Sequence, residues 1–291
     1  MRSLSAPERQ LVTKVNAATS ITNIRGVARG RASSVSLRHD DFERAGVALS
    51  GPTLHRALDD TFTWMYRHHR SERLYKSVIA RKLLKGRHSL RSSALVSEFR
   101  IADSIADCVI VNGDAHVYEI KTELDDPSKL QKQIRDYRRA FTLVTVVTHE
   151  SLADRYLELV DDARVGVLAL SVRGRLSSKR PAQARSELLD VGSMFAALRQ
   201  HEYIDIETRL SGTRPECRPV DLFATYRSLA LEHEPTTYAV EFERQLRARR
   251  ALLPDTLAEE AFEPVLSQCA SINPTALQAG RIRRWLESEV D

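Results

Sequence analysis

The sequence predicts an α/β protein with a mixed β-sheet flanked by helices and followed by an α-helical C-terminal region. Two observations support this prediction. Between residues 97 and 172 the chain contains several short segments rich in β-branched residues, and on both sides of them apolar residues recur with helical spacing. Strand-like and helix-like segments also alternate in the middle of the chain, as is typical of α/β folds.

Composition narrows the class of protein. The 291 residues suffice for one large or two small domains, and 42% hydrophobic with 29% charged residues argues against disorder and against a membrane protein. The longest apolar stretch is far shorter than the roughly 20 residues that span a bilayer. Residues 1–25 lack the apolar core of a signal peptide, so we expect a cytoplasmic protein without membrane contact. Three widely spaced cysteines argue against a disulfide scaffold and a zinc site of the CxxC type.

The net charge is +5, and the basic residues are clustered. Residues 1–39 carry a single acid, Glu8, and residues 172–185 carry none; a third basic run spans 244–250. Such clusters are typical of nucleic-acid contact surfaces and equally of solvated loops and helix faces, and both interpretations stay open at this point.

Three regions follow from the patterning. Residues 1–50 show no clear period and predict a basic N-terminal arm or loosely structured lead-in. Residues 51–185 form the core with its preceding helices, starting from Thr53 as a helix N-cap and a second helix over residues 71–88. Residues 186–291 are predicted to be an α-helical C-terminal region, divided into helices by prolines.

In the core region, short segments rich in β-branched residues predict five strands. They cover residues 97–103, 104–112, 116–122, 143–150 and 164–172. Asn112-Gly113 is a strong signal for a hairpin between the second and third strands. Between the third and fourth strands, Asp126 as N-cap and Pro127 at the first helical position start an amphipathic helix that reaches Phe141. Another helix is expected over residues 151–163 before the fifth strand.

Two charges stand out in the third strand. Side chains alternate along a strand, so Glu119 and Lys121 share one face. Asp107, near the start of the partner strand, could join Glu119 on one divalent cation, but only in certain registers. If residue 111 pairs with 116, or 112 with 115, Asp107 turns away from Glu119. An odd-numbered loop, such as 112–114, pairs the two, and a bulge or bend near Asp107 would also serve. Without such convergence, the two charges are the solvated face of a half-exposed strand.

Further polar residues belong to the same pattern. Gln133 and Tyr137 lie four residues apart, so their side chains meet on one face of the predicted helix. Tyr137 also falls on the apolar stripe of that helix and could be a core residue. Glu98 supplies a third acid just before the strand that carries Asp107.

Asp107, Glu119-Ile120-Lys121 and Gln133-x-x-x-Tyr137, in this order on strand, strand and helix, resemble the PD-(D/E)xK nuclease superfamily. The QxxxY element is similar to that of its λ exonuclease-like and RecB-like branch. Over residues 95–150 the chain also resembles an uncharacterised bacterial and prophage-linked family with the pattern S-E-x-R, A-D, E-I-K and Q-x-x-x-Y.

The resemblance implies roles for these residues. Asp107 and Glu119 would ligate Mg²⁺ or Mn²⁺ with Glu98 as an accessory ligand, and Lys121 would position the attacking water. Gln133 would steady the site and Tyr137 would contact the substrate backbone. Ile105-Ala106 precedes Asp107 where the superfamily name has proline, and Thr122-Glu123 replaces the Ser-Asp frequent in the narrower family, which leaves the roles of Glu123 and Asp125 open.

The sequence and the resemblance therefore predict a Mg²⁺- or Mn²⁺-dependent nuclease with a PD-(D/E)xK-like core. DNA is the favoured substrate and RNA an open alternative, in the context of phage defence or of a mobile element. The alternative is a catalytically silent nuclease-fold module that binds nucleic acid or a protein. A third option is a helical interaction protein whose function resides in residues 186–291.

Overall fold

The described part of the chain contains a six-stranded mixed sheet. The structure, a computed structural model, describes residues 3–290; residues 1, 2 and 291 lie outside the described part. The strands follow one another across the sheet in chain order. They are β1 (Ala94–Ile101), β2 (Ser104–Asn112), β3 (Asp114–Lys121), β4 (Leu143–His149), β5 (Gly166–Leu170) and β6 (Leu176–Arg180). The predicted α/β class with a mixed sheet is confirmed.

Helices precede, interrupt and follow the strands. Before the sheet lie α1 (Ala6–Ala18), α2 (Ile21–Ala28), α3 (His39–Arg44), α4 (Leu54–His68) and α5 (Glu72–Ile79), the last continued by a π-helical turn, Ala80–Lys85. Between strands lie α6 (Leu130–Arg138) and α7 (Ala153–Leu159). After the sheet come α8 (Val191–Ala196), α9 (Gln200–Ser211), α10 (Leu222–Ala230), α11 (Pro235–Ala248), α12 (Pro254–Ala258), α13 (Leu266–Ile272) and α14 (Ala276–Leu286). No helix in the described range is long and apolar enough to cross a membrane.

The chain forms two compact units. The first contains the described residues up to Leu95, the short segment Leu170–Ser177 and the residues from Arg250 onward. The second contains Val96–Ala169 and Ser178–Arg249. The first unit is helical and joins both ends of the chain, whereas the second holds most of the sheet. The predicted division after residues 50 and 185 stays a prediction.

Residues 6–44 are not the loosely structured stretch that the sequence predicted. They form α1, α2 and α3, and Leu11, Val15 and Ile24 are buried. α1 starts with a capping box in which Ser5 and Glu8 exchange hydrogen bonds. Helices as short as α2 and α3 show little periodicity, because packing against the rest of a unit stabilises them more than their own sequence does.

The predicted helix between the third and fourth strands is confirmed. Asp126 accepts a hydrogen bond from the Ser128 amide and caps a 3₁₀ turn, Pro127–Lys129, that leads into α6. Its stripe of Leu130, Ile134, Tyr137 and Phe141 is buried. Because β3 and β4 pair in parallel, the chain must cross over the sheet between them, and α6 lies in that crossover.

The sixth strand was not predicted. Its sequence, LSSKR, was included in a basic cluster, and its side chains are mostly exposed. A strand at the edge of a sheet has neighbours on one side only, so it needs few apolar residues, and charges such as Lys179 are common there.

One carboxyl group of α11 lies against the β2–β3 hairpin. Glu243 Oε1 accepts a hydrogen bond of 3.1 Å from the Ala115 amide. Burial raises the pKa of Glu243 to about 7, and the negative charge of Asp114 acts in the same direction. The folded protein therefore holds this proton more tightly than the unfolded chain does.

We expect stability to fall as the pH rises from about 5 to 7, because Glu243 must lose a proton that the folded state favours. In Glu243→Gln this part of the pH dependence disappears, and the variant gains about 1–3 kcal/mol over the wild type at pH 8. Urea unfolding at several pH values measures both. Glu158→Gln, which changes an exposed residue of α7, is the control; equal pH slopes for wild type and Glu243→Gln would contradict the assignment.

Candidate active site

The β2–β3 hairpin adopts the odd register that brings Asp107 to Glu119. Gly113 forms the turn at φ +85°, where a side chain is disfavoured, and Asn112 pairs with Asp114. The pairing reaches Cys108 opposite Tyr118. Extended by one step, this register would set Asp107 opposite Glu119. Directly opposed residues of antiparallel strands project from the same face, with Cβ atoms about 4.5–5.5 Å apart. The hairpin therefore has the odd-numbered loop that the metal-site hypothesis requires.

Asp107 is half-buried and fixed by the partner strand. Its Oδ2 accepts a hydrogen bond of 2.7 Å from the Ile120 amide, the residue after Glu119. This contact continues the connection between β2 and β3 beyond the Cys108–Tyr118 pair and holds the carboxylate beside Glu119.

Glu119 and Lys121 form a buried ion pair. Their exposed fractions are only 2% and 6%, and Lys121 Nζ lies 2.7 Å from Glu119 Oε1. Burying two charges is costly, and the Coulomb attraction offsets the cost only when further hydrogen bonds satisfy the remaining atoms. The alternative of a solvated strand face does not apply to residues this deeply buried.

Helix α6 supplies those further hydrogen bonds. The Gln133 amide donates to Glu119 Oε1 at 2.7 Å and accepts from Lys121 Nζ at 2.9 Å. The Tyr137 hydroxyl lies 2.7 Å from Glu119 Oε2 and 2.8 Å from the Ile105 carbonyl oxygen. Both oxygens of the buried carboxylate therefore have donors, as a charge at this depth requires.

Tyr137 is both a core residue and a part of the cluster. Its ring is buried in the stripe of α6, while its hydroxyl reaches the carboxylate. Burial raises the pKa of Tyr137 far above its ordinary value, and the negative charge of Glu119 raises it further. The hydroxyl therefore remains protonated and acts as a donor to Glu119.

The ammonium group of Lys121 has one N–H donor that the described contacts do not use. An ammonium group has three N–H donors, and the described contacts of Nζ, to Glu119 and Gln133, use two of them. The third can serve a water molecule or a substrate oxygen. The backbone of Lys121 is held as well, since the Thr148 hydroxyl donates to its carbonyl at 2.8 Å.

Residues missed by the sequence reasoning position α6. Asp136 Oδ2 accepts from the Ser104 hydroxyl at 2.6 Å and from Lys132 Nζ at 2.7 Å, which ties the helix to the start of β2. Burial raises the pKa of Asp136, but these two hydrogen bonds outweigh it and hold the pKa below its ordinary value. The i, i+4 spacing of Lys132 and Asp136 was the available signal.

Asp125, whose role the sequence left open, closes the turn after β3. Its Oδ2 accepts from the Thr122 amide at 2.6 Å and from the Thr122 hydroxyl at 2.8 Å. Asp125 is therefore a structural residue that fixes the exit of the strand carrying Glu119 and Lys121.

Comparison with known protein families gives a match over the middle of the chain. A family described as bacteriophage P4 protein cII matches residues 65–227, more than half of the chain. The chain belongs to this family. The matched range includes β1 to β4 and α6, so every residue of the cluster lies within it, and the family description makes the protein phage-related. No curated protein and no solved structure matches the chain.

In this member of the P4 cII family, Glu98 does not complete a three-carboxylate site. Among residues 3–290 no group of three or more His, Cys, Asp and Glu side chains could hold a metal ion, so Glu98, Asp107 and Glu119 do not assemble as expected. Glu98 lies on β1, next to the strand of Asp107, but it is exposed and has φ +54°. A left-handed residue interrupts the alternation of a strand and redirects its side chain.

The remaining donors still fit a hard divalent cation. Asp107 and Glu119 offer carboxylate oxygens from opposed positions, and Mg²⁺ is commonly held by one or two carboxylates together with water and substrate phosphates. Both Glu119 oxygens accept hydrogen bonds from Lys121, Gln133 and Tyr137, so ligation would require these donors to shift or share.

Removing the Tyr137 hydroxyl tests the geometry of the cluster. We expect Tyr137→Phe to lower the free energy of unfolding by about 1–3 kcal/mol, because Glu119 Oε2 then lies buried with one donor fewer. Tyr238→Phe is a matched control: Tyr238 is equally buried, and its hydroxyl has no hydrogen-bond partner among the described residues. Chemical denaturation of both variants measures the difference, and equal losses would contradict the role of Tyr137.

Proposed function

We propose that this phage-related protein is a Mg²⁺- or Mn²⁺-dependent nuclease that hydrolyses phosphodiester bonds, with DNA favoured over RNA. The observation that carries the proposal is the convergence of five residues predicted from the sequence. Asp107, Glu119, Lys121, Gln133 and Tyr137 come from two strands and one helix and meet at one place on the sheet. The resemblance to the PD-(D/E)xK superfamily assigns them a common chemistry.

Each residue has a role that its contacts support. Asp107 and Glu119 would hold the cation, which supplies Lewis-acid charge for the phosphate and for the water. Lys121, with one N–H donor left, would orient the attacking water and stabilise charge developing on a phosphate oxygen. Gln133 holds Lys121 and Glu119 together, and Tyr137 fixes the second oxygen of Glu119. Tyr137 is thus a positioning residue rather than the contact to the substrate backbone that the resemblance implies.

Buried charges in this strand are hard to explain by stability. Well-packed apolar residues of similar volume often stabilise a protein as well as a buried ion pair does, or better. A buried cluster of acid, lysine and amide that lowers stability is typical of sites where a charge must be held in place for chemistry.

Asp107→Ala and Glu119→Ala test the proposal. We expect each to lower cleavage of linear DNA by at least about a hundredfold in Mg²⁺ or Mn²⁺, and chelator to abolish cleavage by the wild type. Asp103→Asn, which alters an exposed carboxylate in the β1–β2 turn, should cleave as the wild type does. Circular and single-stranded DNA and RNA are assayed in parallel. Undiminished cleavage by folded Asp107→Ala would refute the proposal.

The second candidate is a catalytically silent nuclease-fold module that binds nucleic acid or a protein. The observation that favours it is the saturation of Glu119, whose two oxygens accept from Lys121, Gln133 and Tyr137. Calorimetric titration with Mn²⁺ separates the two functions. A nuclease binds the ion in a manner that Asp107→Ala weakens at least tenfold, whereas a silent module shows no binding that depends on Asp107.

A further inference from the structure

A pocket of the first unit concentrates positive charge around an indole ring. It has a volume of about 380 Å³ and is formed by the loop after α2 together with the face of α14. Its lining consists of Val27, Gly30, Arg31, Ala32, Ser33, Arg281, Arg284 and Trp285, which include three guanidinium groups and no acid.

Two of the three arginines make no polar side-chain contact within the described residues. Neither Arg31 nor Arg284 makes a side-chain hydrogen bond or ion pair with any residue between 3 and 290, and both are exposed. The neighbouring Arg283, in contrast, is paired with Glu259 at 2.6 Å. No acid of the described chain therefore neutralises these two guanidinium groups, and both remain available to bind an anion.

Arg281 and Gly30 shape the floor of the pocket. Arg281 Nη1 donates to the Ala28 carbonyl at 3.2 Å and so satisfies an acceptor at the C-terminal end of α2. The guanidinium lies so close to Gly30 that a Cβ there would be 3.4 Å from Arg281 Cζ, and Gly30 has φ +84°. Arg281 is thus held in place by the backbone, while Arg31 and Arg284 are exposed beside it.

Trp285 supplies an aromatic surface beside these charges. It is half-buried and lines both this pocket and a second one, so its ring lies between two surface depressions. Arg25 on α2 and Arg29 directly after it are one helical turn apart and exposed, and they add positive charge to the segment that leads to Gly30. Proteins bind single-stranded nucleic acid with positive charges next to an aromatic ring, because the phosphates contact the cations and a base stacks on the ring.

We propose that this Arg31–Arg281–Arg284–Trp285 pocket binds a single-stranded segment of nucleic acid. Arg31 and Arg284 contact consecutive phosphates, and one base stacks on Trp285. This binding activity goes beyond the proposed hydrolysis and does not depend on it, since the pocket lies within the first unit and contains no residue of the candidate active site.

The chain contains two tryptophans, so Trp64→Phe leaves Trp285 as the only indole reporter. In this background and in chelator, which prevents metal-dependent cleavage, oligo(dT) of 15 nucleotides is expected to quench the fluorescence of Trp285. Thymidine monophosphate at the same nucleotide concentration and a duplex of the same length are expected to quench far less. Equal quenching by the mononucleotide, or no quenching by the oligonucleotide, would refute the stacking role.

Charge-removing variants test the phosphate contacts by fluorescence anisotropy with labelled oligo(dT). Arg31→Ala with Arg284→Ala should weaken binding at least about tenfold and reduce the slope of log affinity against log salt by about 1.4, or 0.7 for each phosphate contact. Arg67→Ala with Arg87→Ala removes two exposed charges of the same unit outside the pocket and is expected to change neither quantity. Trp285→Phe should bind nearly as the wild type does, and Trp285→Ala about tenfold more weakly.

Thermal unfolding of each variant confirms that it is folded before binding is compared. Equal losses in the two double variants would refute the site, because they would mean that only general positive charge matters. Binding by Trp285→Ala as tight as by the wild type would refute the stacking contact even if the arginines prove necessary.

Discussion

The need to satisfy one buried carboxylate, that of Glu119, constrains the centre of this fold. At 2% exposure a charge must find all its hydrogen-bond partners inside the protein. Three donors supply these hydrogen bonds at 2.7 Å. Lys121 on the same strand and Gln133 on α6 bond Glu119 Oε1, and Tyr137 on α6 bonds Oε2. Lys121 and Gln133 also bond each other. The crossover helix therefore cannot slide or rotate against β3 without removing the Gln133 and Tyr137 hydrogen bonds from the buried carboxylate. Asp136, bonded to Ser104, fixes the same helix to β2.

The second constraint is the register of the β2–β3 hairpin, and it depends on Gly113. A shift of one residue would turn every side chain of a strand to the opposite face, so Asp107 and Glu119 would be separated by the sheet. The left-handed conformation of Gly113 permits the tight turn in which Asn112 meets Asp114, and this turn sets the pairing six residues away. The Asp107 carboxylate then bonds the Ile120 amide and strengthens the register that placed it there.

Local patterns predicted much of this arrangement. Strand alternation put Glu119 and Lys121 on one face, helical spacing put Gln133 and Tyr137 together, and Asn112-Gly113 indicated the hairpin. The sequence left the register open because both even and odd loops fit an Asn-Gly turn. The short helices α2 and α3 and the edge strand β6 were missed because tertiary packing rather than periodicity stabilises them, whereas α1 carries a readable signal, the capping box of Ser5 and Glu8. The exposure of Glu98 follows from a backbone torsion, φ +54°, that a glutamate rarely adopts and that no sequence pattern signals.

The cluster also explains why Asp107 and Glu119 are not equivalent, although they lie opposite each other. Glu119 is buried and its two oxygens accept three donors, so its charge is already balanced by Lys121 and its position is fixed. Asp107 is half-buried and is held through one oxygen by a backbone amide, which carries no full charge. The two carboxylates therefore differ in burial, since Glu119 is closed off from solvent and Asp107 is only half-buried. Because Asp107 is the more exposed of the two carboxylates, a cation approaching from solvent would meet it first.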